Sequence, residues 1–122
     1  MKLHASAPSA YNTIHAYGAD YVMVNGRRYE SSLIVMPDQV LPWDASEFTK
    51  ITEEHFEKLK DLRIETLLLG TGPRQRFPHP RLTAPLAAAG IGVEVMDLKA
   101  ACRTYNILVA EERKVAAALM FK

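Results

Sequence analysis

Ile64-Glu65-Thr66-Leu67-Leu68-Leu69-Gly70-Thr71-Gly72-Pro73 is the run that decides the fold. Its leucines suit a central strand covered on both faces, and Gly70-Thr71-Gly72-Pro73 ends that strand abruptly. A loop rich in proline and arginine follows, carrying Arg74, Arg76 and Arg81, and then a helical stretch that ends near Ala89 with Gly90 as its stop. Pro80 fits a first helical turn, whereas Pro85 lacks an N–H and points to a later start. Ile91 to Met96 is strand-like again. Strand, helix and strand over about thirty residues make a βαβ unit, with parallel strands and a right-handed crossover.

Towards the C-terminus, Asp97 is placed to cap a helix running roughly to Glu111. Ala101, Tyr105 and Leu108, flanked by Cys102 and Val109, form its apolar stripe, with Lys99, Arg103, Asn106 and Ala110 on the opposite face. Val115 to Phe121 is apolar throughout and reads as a final strand buried in the sheet.

Towards the N-terminus, Asn12 to Tyr17 reads as a strand broken by Gly18, and Tyr21–Val24 and Arg27–Glu30 flank Asn25-Gly26. That dipeptide is the strongest short hairpin signal, since both central residues must take positive φ. Leu33 to Met36, stopped by Pro37, is a strand buried on both faces, so the first third is a β-meander. Residues 37–51 read as irregular, pinned to the core by Trp43. Thr52 can cap a helix through Leu62 that buries Phe56, Leu59 and Leu62. The expectation is one α/β domain over residues 12–122, preceded by a flexible leader over residues 1–11.

Composition bounds the function. The 122 residues carry 15 Lys and Arg against 14 Asp and Glu, with 48% hydrophobic residues, as in an ordinary soluble globular chain. Near-zero net charge argues against a nucleic-acid coat or a polybasic membrane anchor. The balance is uneven, with a net of −3 over residues 1–61 and +4 over residues 62–122. Two solvated faces account for that, or a basic surface awaiting an acidic partner. A single cysteine, Cys102, excludes an internal disulfide and fits a reducing compartment. The first ten residues have no apolar run, and no stretch approaches the roughly 20 apolar residues that cross a bilayer, so the expected location is cytoplasmic without membrane insertion.

Few residues point to chemistry. The Gly70-Thr71-Gly72 turn behind a buried strand lies where open α/β sheets bind ligands, and Arg74 and Arg76 could add charge-assisted bonds to an anion. The turn fits neither phosphate motif: Gln75 stands where a dinucleotide fingerprint wants glycine, and no Gly-Lys-Ser/Thr follows. Cys102 sits too deep in its helix for a reactive thiol and reads as packed. His4, His15, His55 and His79 are scattered without metal spacing, and Glu94 and Asp97 do not form an acid–base pair, so no catalytic residue, metal or cofactor is expected. Arg103 and Asn106 share a polar helix face that is either simply solvated or borders one groove with the Gly70–Arg76 loop.

Gly70-Thr71-Gly72, Gly92-Val93-Glu94-Val95-Met96-Asp97, Ala101-Cys102-Arg103-Thr104-Tyr105-Asn106-Ile107-Leu108 and Val115-Ala116-Ala117-Ala118-Leu119 occur in this order. With Val24-Asn25-Gly26-Arg27 and Trp43, this pattern resembles an uncharacterised domain family of bacteria and archaea. Its relatives include mitochondrial NADH dehydrogenase (complex I) assembly factor 3 and an adipogenesis-associated domain-containing protein. Glu111-Glu112-Arg113 departs from the Glu-Gly-Arg common in those relatives. The resemblance implies a three-layer α/β fold with a mixed central sheet and no known catalysis. Two functions follow. One is a non-catalytic interaction or assembly module with a protein partner, using Gly70, Thr71, Gly72, Arg74, Arg76, Arg103 and Asn106 as a groove. The other is a site for a small anion, or an unrecognised enzyme, in the same place. Nucleic-acid binding ranks last, and the oligomeric state is left open.

Overall fold

The structure, a computed structural model, describes residues 11–122. Apart from Tyr11, the expected leader therefore lies outside the described residues. Strands β1 (Ile14–Tyr17), β2 (Val22–Val24) and β3 (Arg27–Tyr29) form a small antiparallel sheet of their own. Asn25 and Gly26 turn the β2–β3 hairpin with φ of +48° and +85°, the pair of positive values that the dipeptide predicts.

A five-stranded mixed sheet carries the rest. It contains β4 (Leu33–Met36), β5 (Gln39–Pro42), β6 (Thr66–Thr71), β7 (Gly92–Met96) and β8 (Val115–Met120), in the order β5-β4-β8-β6-β7. β6 runs parallel to both β7 and β8, while β4 is antiparallel to β5 and β8. Helices α1 (Glu53–Glu57) and α2 (Pro80–Ala88) cover one face; α3 (Leu98–Ala110) and the small sheet cover the other.

Period-two alternation sorts the core between those faces. Leu68, Val115, Ala117 and Leu119 pack towards Tyr105, Cys102 and Ile14. Leu67, Leu69, Ala116, Ala118 and Met120 pack towards Phe56, Leu82 and Leu86. Small alanines on the central β8 let both helical layers approach, and each buried leucine contributes about 2 kcal/mol by leaving water.

Three boundaries differ from the sequence expectation. Residues 37–51 are only partly irregular: Pro37-Asp38 turns the chain into β5, paired as Leu33↔Pro42 through Met36↔Gln39. Trp43 N–H donates to Ser32 C=O, so ladder alternation turns the nitrogen of Pro42 outward, where a missing N–H removes no ladder bond. The helix expected from Thr52 to Leu62 is α-helical only to Glu57 and continues in turns closed by Leu59 N–H to Phe56 C=O and Leu62 N–H to Leu59 C=O. A spacing of three suits such turns as well as an α-helix, which is why Phe56 and Leu59 are buried all the same. α2 begins at Pro80 and holds Pro85 inside, where the missing N–H forgoes the helical bond to Arg81 C=O.

Glu112 follows α3 at φ +60°. That left-handed conformation favours glycine over glutamate, since a Cβ there meets the following carbonyl. Glu112→Gly should raise stability by about 0.5–1 kcal/mol after the entropy cost of glycine is subtracted. Urea unfolding should therefore show a higher midpoint with an unchanged slope.

Candidate interaction site

Gly70 is buried, and a Cβ there would lie 2.9 Å from Leu119 Cδ2 and 3.0 Å from Ala101 Cβ. Its bare backbone lets α3 settle on β6, so it shapes the site from beneath and touches no solvent. Thr71, also fully buried, organises the loop that follows. Its hydroxyl donates to Arg74 C=O at 2.7 Å and accepts from Arg76 N–H at 3.0 Å. Gln75 Nε2 donates to Val95 C=O at 2.9 Å, tying the loop to the outer edge of β7.

The loop's arginines behave differently. Arg74 is exposed. Arg76 turns back, donates from Nη2 to Thr71 C=O at 2.8 Å and lays its guanidinium 4.6 Å from the Phe48 ring centroid. Its Nε is buried without a partner among the described residues, which marks it as a strut under the loop.

Gly72 carries φ +86°, and its C=O accepts from Leu98 N–H at 2.8 Å, so the loop is bonded directly to the start of α3. Asp97 caps that helix by accepting from Ala100 N–H at 2.8 Å. Between these elements lies a cleft of about 540 Å³, lined by Tyr17, Gly18, Ala19, Gly72, Pro73, Asp97, Leu98 and Lys99. Arg103 stands at its border, donating from Nη1 to Tyr17 Oη at 3.3 Å.

The structure thus brings Gly72, Lys99 and, through Tyr17, Arg103 into one neighbourhood. Asn106 does something else. Its Oδ1 accepts from Ile14 N–H at 2.9 Å and its Nδ2 donates to Ile14 C=O at 2.7 Å, so its amide substitutes for a strand neighbour and docks β1 onto α3. Helical spacing placed Asn106 on the Arg103 face; only the arrival of β1 shows what that face holds.

Phe77, which sequence reasoning passed over, is 71% exposed in the same loop. Its signal was a lone aromatic between Arg76 and Pro78, with no apolar neighbour at helix or strand spacing. A second cavity, of about 650 Å³, lies at the other end of the sheet, where β6 and β8 begin; its lining includes Asp38, Asp61, Arg63, Arg113 and Lys114.

Reactive chemistry is sparse. Among the described residues no three His, Cys, Asp or Glu side chains are placed to hold a metal ion. Burial pushes the Cys102 thiol up to about 12, against a smaller opposing effect from the Arg103 charge. The folded chain therefore favours the neutral thiol: that stability is present below the ordinary thiol pKa and is lost as pH rises towards 12. Iodoacetamide should label Cys102 in native protein at pH 8 only at the rate of unfolding, and urea should accelerate it in step with loss of structure.

These features define a three-layer α/β domain whose cleft and cationic loop sit at the C-terminal ends of its parallel strands. The chain belongs to the family described as protein of unknown function (DUF498/DUF598), which matches residues 14–120. NADH dehydrogenase [ubiquinone] 1 alpha subcomplex assembly factor 3 of Bos taurus is 35% identical over 109 residues, covering 88% of this chain and 59% of that protein. The chain thus spans under two thirds of that relative's length. A 13 kDa major membrane protein of Francisella tularensis is 32% identical, over 77% of this chain and 78% of its own length. The fold is shared with a crystal structure of a Bordetella parapertussis protein at 43% identity, covering 90% of this chain and 95% of that one, with a TM-score of 0.85.

Proposed function

We propose that this domain is a non-catalytic protein-interaction module of the assembly-factor kind, with the Gly70–Arg76 loop and its surroundings as contact surface. The observation that carries the reading is Phe77, exposed beside Arg74 in a loop tied down by Thr71 and Arg76. A rigid aromatic anchor flanked by cations is the composition of an interface hot spot. Gly70, Thr71 and Arg76 shape this surface from beneath; Arg74, Phe77, Lys99 and Arg103 present it; Asn106 holds the β1 wall in place. The relatives named as complex I assembly factors support the same role. No helix among the described residues is long and apolar enough to cross a membrane. On this reading the domain meets its partner, a component of a larger complex, from the cytoplasmic side.

Affinity capture from the native host tests the proposal with wild type, Phe77→Ala and Arg74→Ala. A defined protein retained by wild type and depleted at least tenfold by Phe77→Ala is the expected result. Repeated capture of nothing, or retention by both variants equal to that of wild type, overturns it. The cleft beside Lys99 and Arg103 favours a second reading, binding of a small anionic ligand, with the Lys99 ammonium as receiver. Thermal stabilisation by phosphate or a carboxylate, abolished by Lys99→Ala, would support that reading instead.

A further inference from the structure

Strand β7 ends the five-stranded sheet, and among the described residues no other strand pairs with its outer edge. The phase of the ladder shows which groups face outward. Gly92 N–H donates to Glu65 C=O, and the parallel register Thr66↔Gly92 through Gly70↔Met96 then turns Gly92, Glu94 and Met96 towards β6. Val93 and Val95 therefore direct their N–H and C=O groups away from the sheet. Among the described residues only Gln75 reaches this row, its amide closing on Val95 C=O at 2.9 Å. Val93 N–H, Val93 C=O and Val95 N–H have no hydrogen-bond partner among the described residues.

Resting on the interaction-module reading above, we infer that β7 receives an extended segment of the protein partner as a sixth strand, with a lysine or arginine of that segment opposite Glu94. Backbone bonds to Val93 and Val95 would supply affinity and alternate side chains the specificity, as in other strand additions. On the α2 side of the edge, Val93 and Val95 are half-buried and present an apolar row for every second side chain of the segment. On the α3 side the exposed carboxylate of Glu94 has no ion-pair partner among the described residues, and a cation meets it there. The edge is continuous with the proposed contact surface, because Gln75 belongs to the same loop as Arg74 and Phe77. Gln75 acts as a latch on the last outward carbonyl, released when the segment arrives.

The test uses the ¹⁵N-labelled full chain and two blocked octapeptides, one alternating valine with lysine and one alternating valine with glutamate. The valine–lysine peptide should slow exchange of the Val93 and Val95 amide protons at least tenfold at saturation and leave the Glu94 amide, already bonded to β6, unchanged. Glu94→Lys should reverse the preference to the valine–glutamate peptide, and Gln75→Ala should tighten binding several-fold. Three results would overturn the inference: unchanged exchange with both peptides, protection confined to other strands, or Val93 and Val95 amides already protected in peptide-free protein by a second copy, seen as a dimer in light scattering. Host capture that still depends on Phe77 while these amides stay unprotected would remove strand addition and leave the interaction-module reading standing. The converse pattern would do the reverse.

Discussion

Tyr105→Ala should cost this protein about 4 kcal/mol, as truncation of a fully buried aromatic does, and lower its melting temperature by roughly 15 °C. Tyr105 is wholly buried between α3, the sheet and β1. Its hydroxyl donates to Asn12 C=O at 2.8 Å, and burial, reinforced by Asp38, pushes its phenol above the usual range, so it remains a neutral donor. Asn12 in turn donates from its backbone N–H to Pro37 C=O and from Nδ2 to Met36 C=O, both at 2.9 Å. Tyr105 and Asn106 together fasten residues 12–14 to α3, one through a phenol and the other through a paired amide. Tyr105→Phe separates the contributions: it keeps the ring and should cost only about 1–2 kcal/mol for an unpaired Asn12 carbonyl. Calorimetry of the two variants checks this. Equal losses would show that the hydroxyl, not the ring, carries the effect.

Gly72→Val is expected to be nearly as damaging, at about 3–4 kcal/mol, because backbone and sterics act together. The residue holds φ +86°, and a Cβ would sit 3.0 Å from Phe121 C=O, a backbone atom that cannot swing aside. Gly26→Ala isolates the first contribution: φ is +85° there, yet nothing lies within 4 Å of the added carbon. That variant should lose only about 1 kcal/mol. Gly72→Val should also disturb the bond from Leu98 N–H and with it the wall of the cleft, so that capture through Phe77 weakens even in the folded fraction. Urea titration of both variants, with retention measured well below the transition, decides between a purely local strain and a displaced loop.

The diglycine bend was visible from sequence as a strand terminus, but its two glycines serve different ends. Gly70 yields to Ala101, distant along the chain, while Gly72 needs a backbone conformation. Sequence reading could see that glycines were wanted there and could not see why, since one reason is a contact and the other a dihedral. Arg76 is similar. Charge and position suggested a ligand-facing cation, whereas the ring of Phe48 and the carbonyl of Thr71 draw it inward.

Where the cause is local, the residues alone determined the outcome: the Asn25-Gly26 hairpin, the Asp97 cap, the buried leucine strand and the inert cysteine all follow from propensity, dihedral preference and apolar period. What only the tertiary structure decided are the matters of which element arrives beside which. β1 comes to rest against Asn106, Pro42 finds an outward-facing edge position, Phe77 stays exposed, and β7 ends the sheet with its outward amides unpaired among the described residues. Those outcomes depend on contacts between residues far apart in the chain. A pattern with a period of two or three and a half records which face is apolar, but carries no information about the neighbour that will cover it.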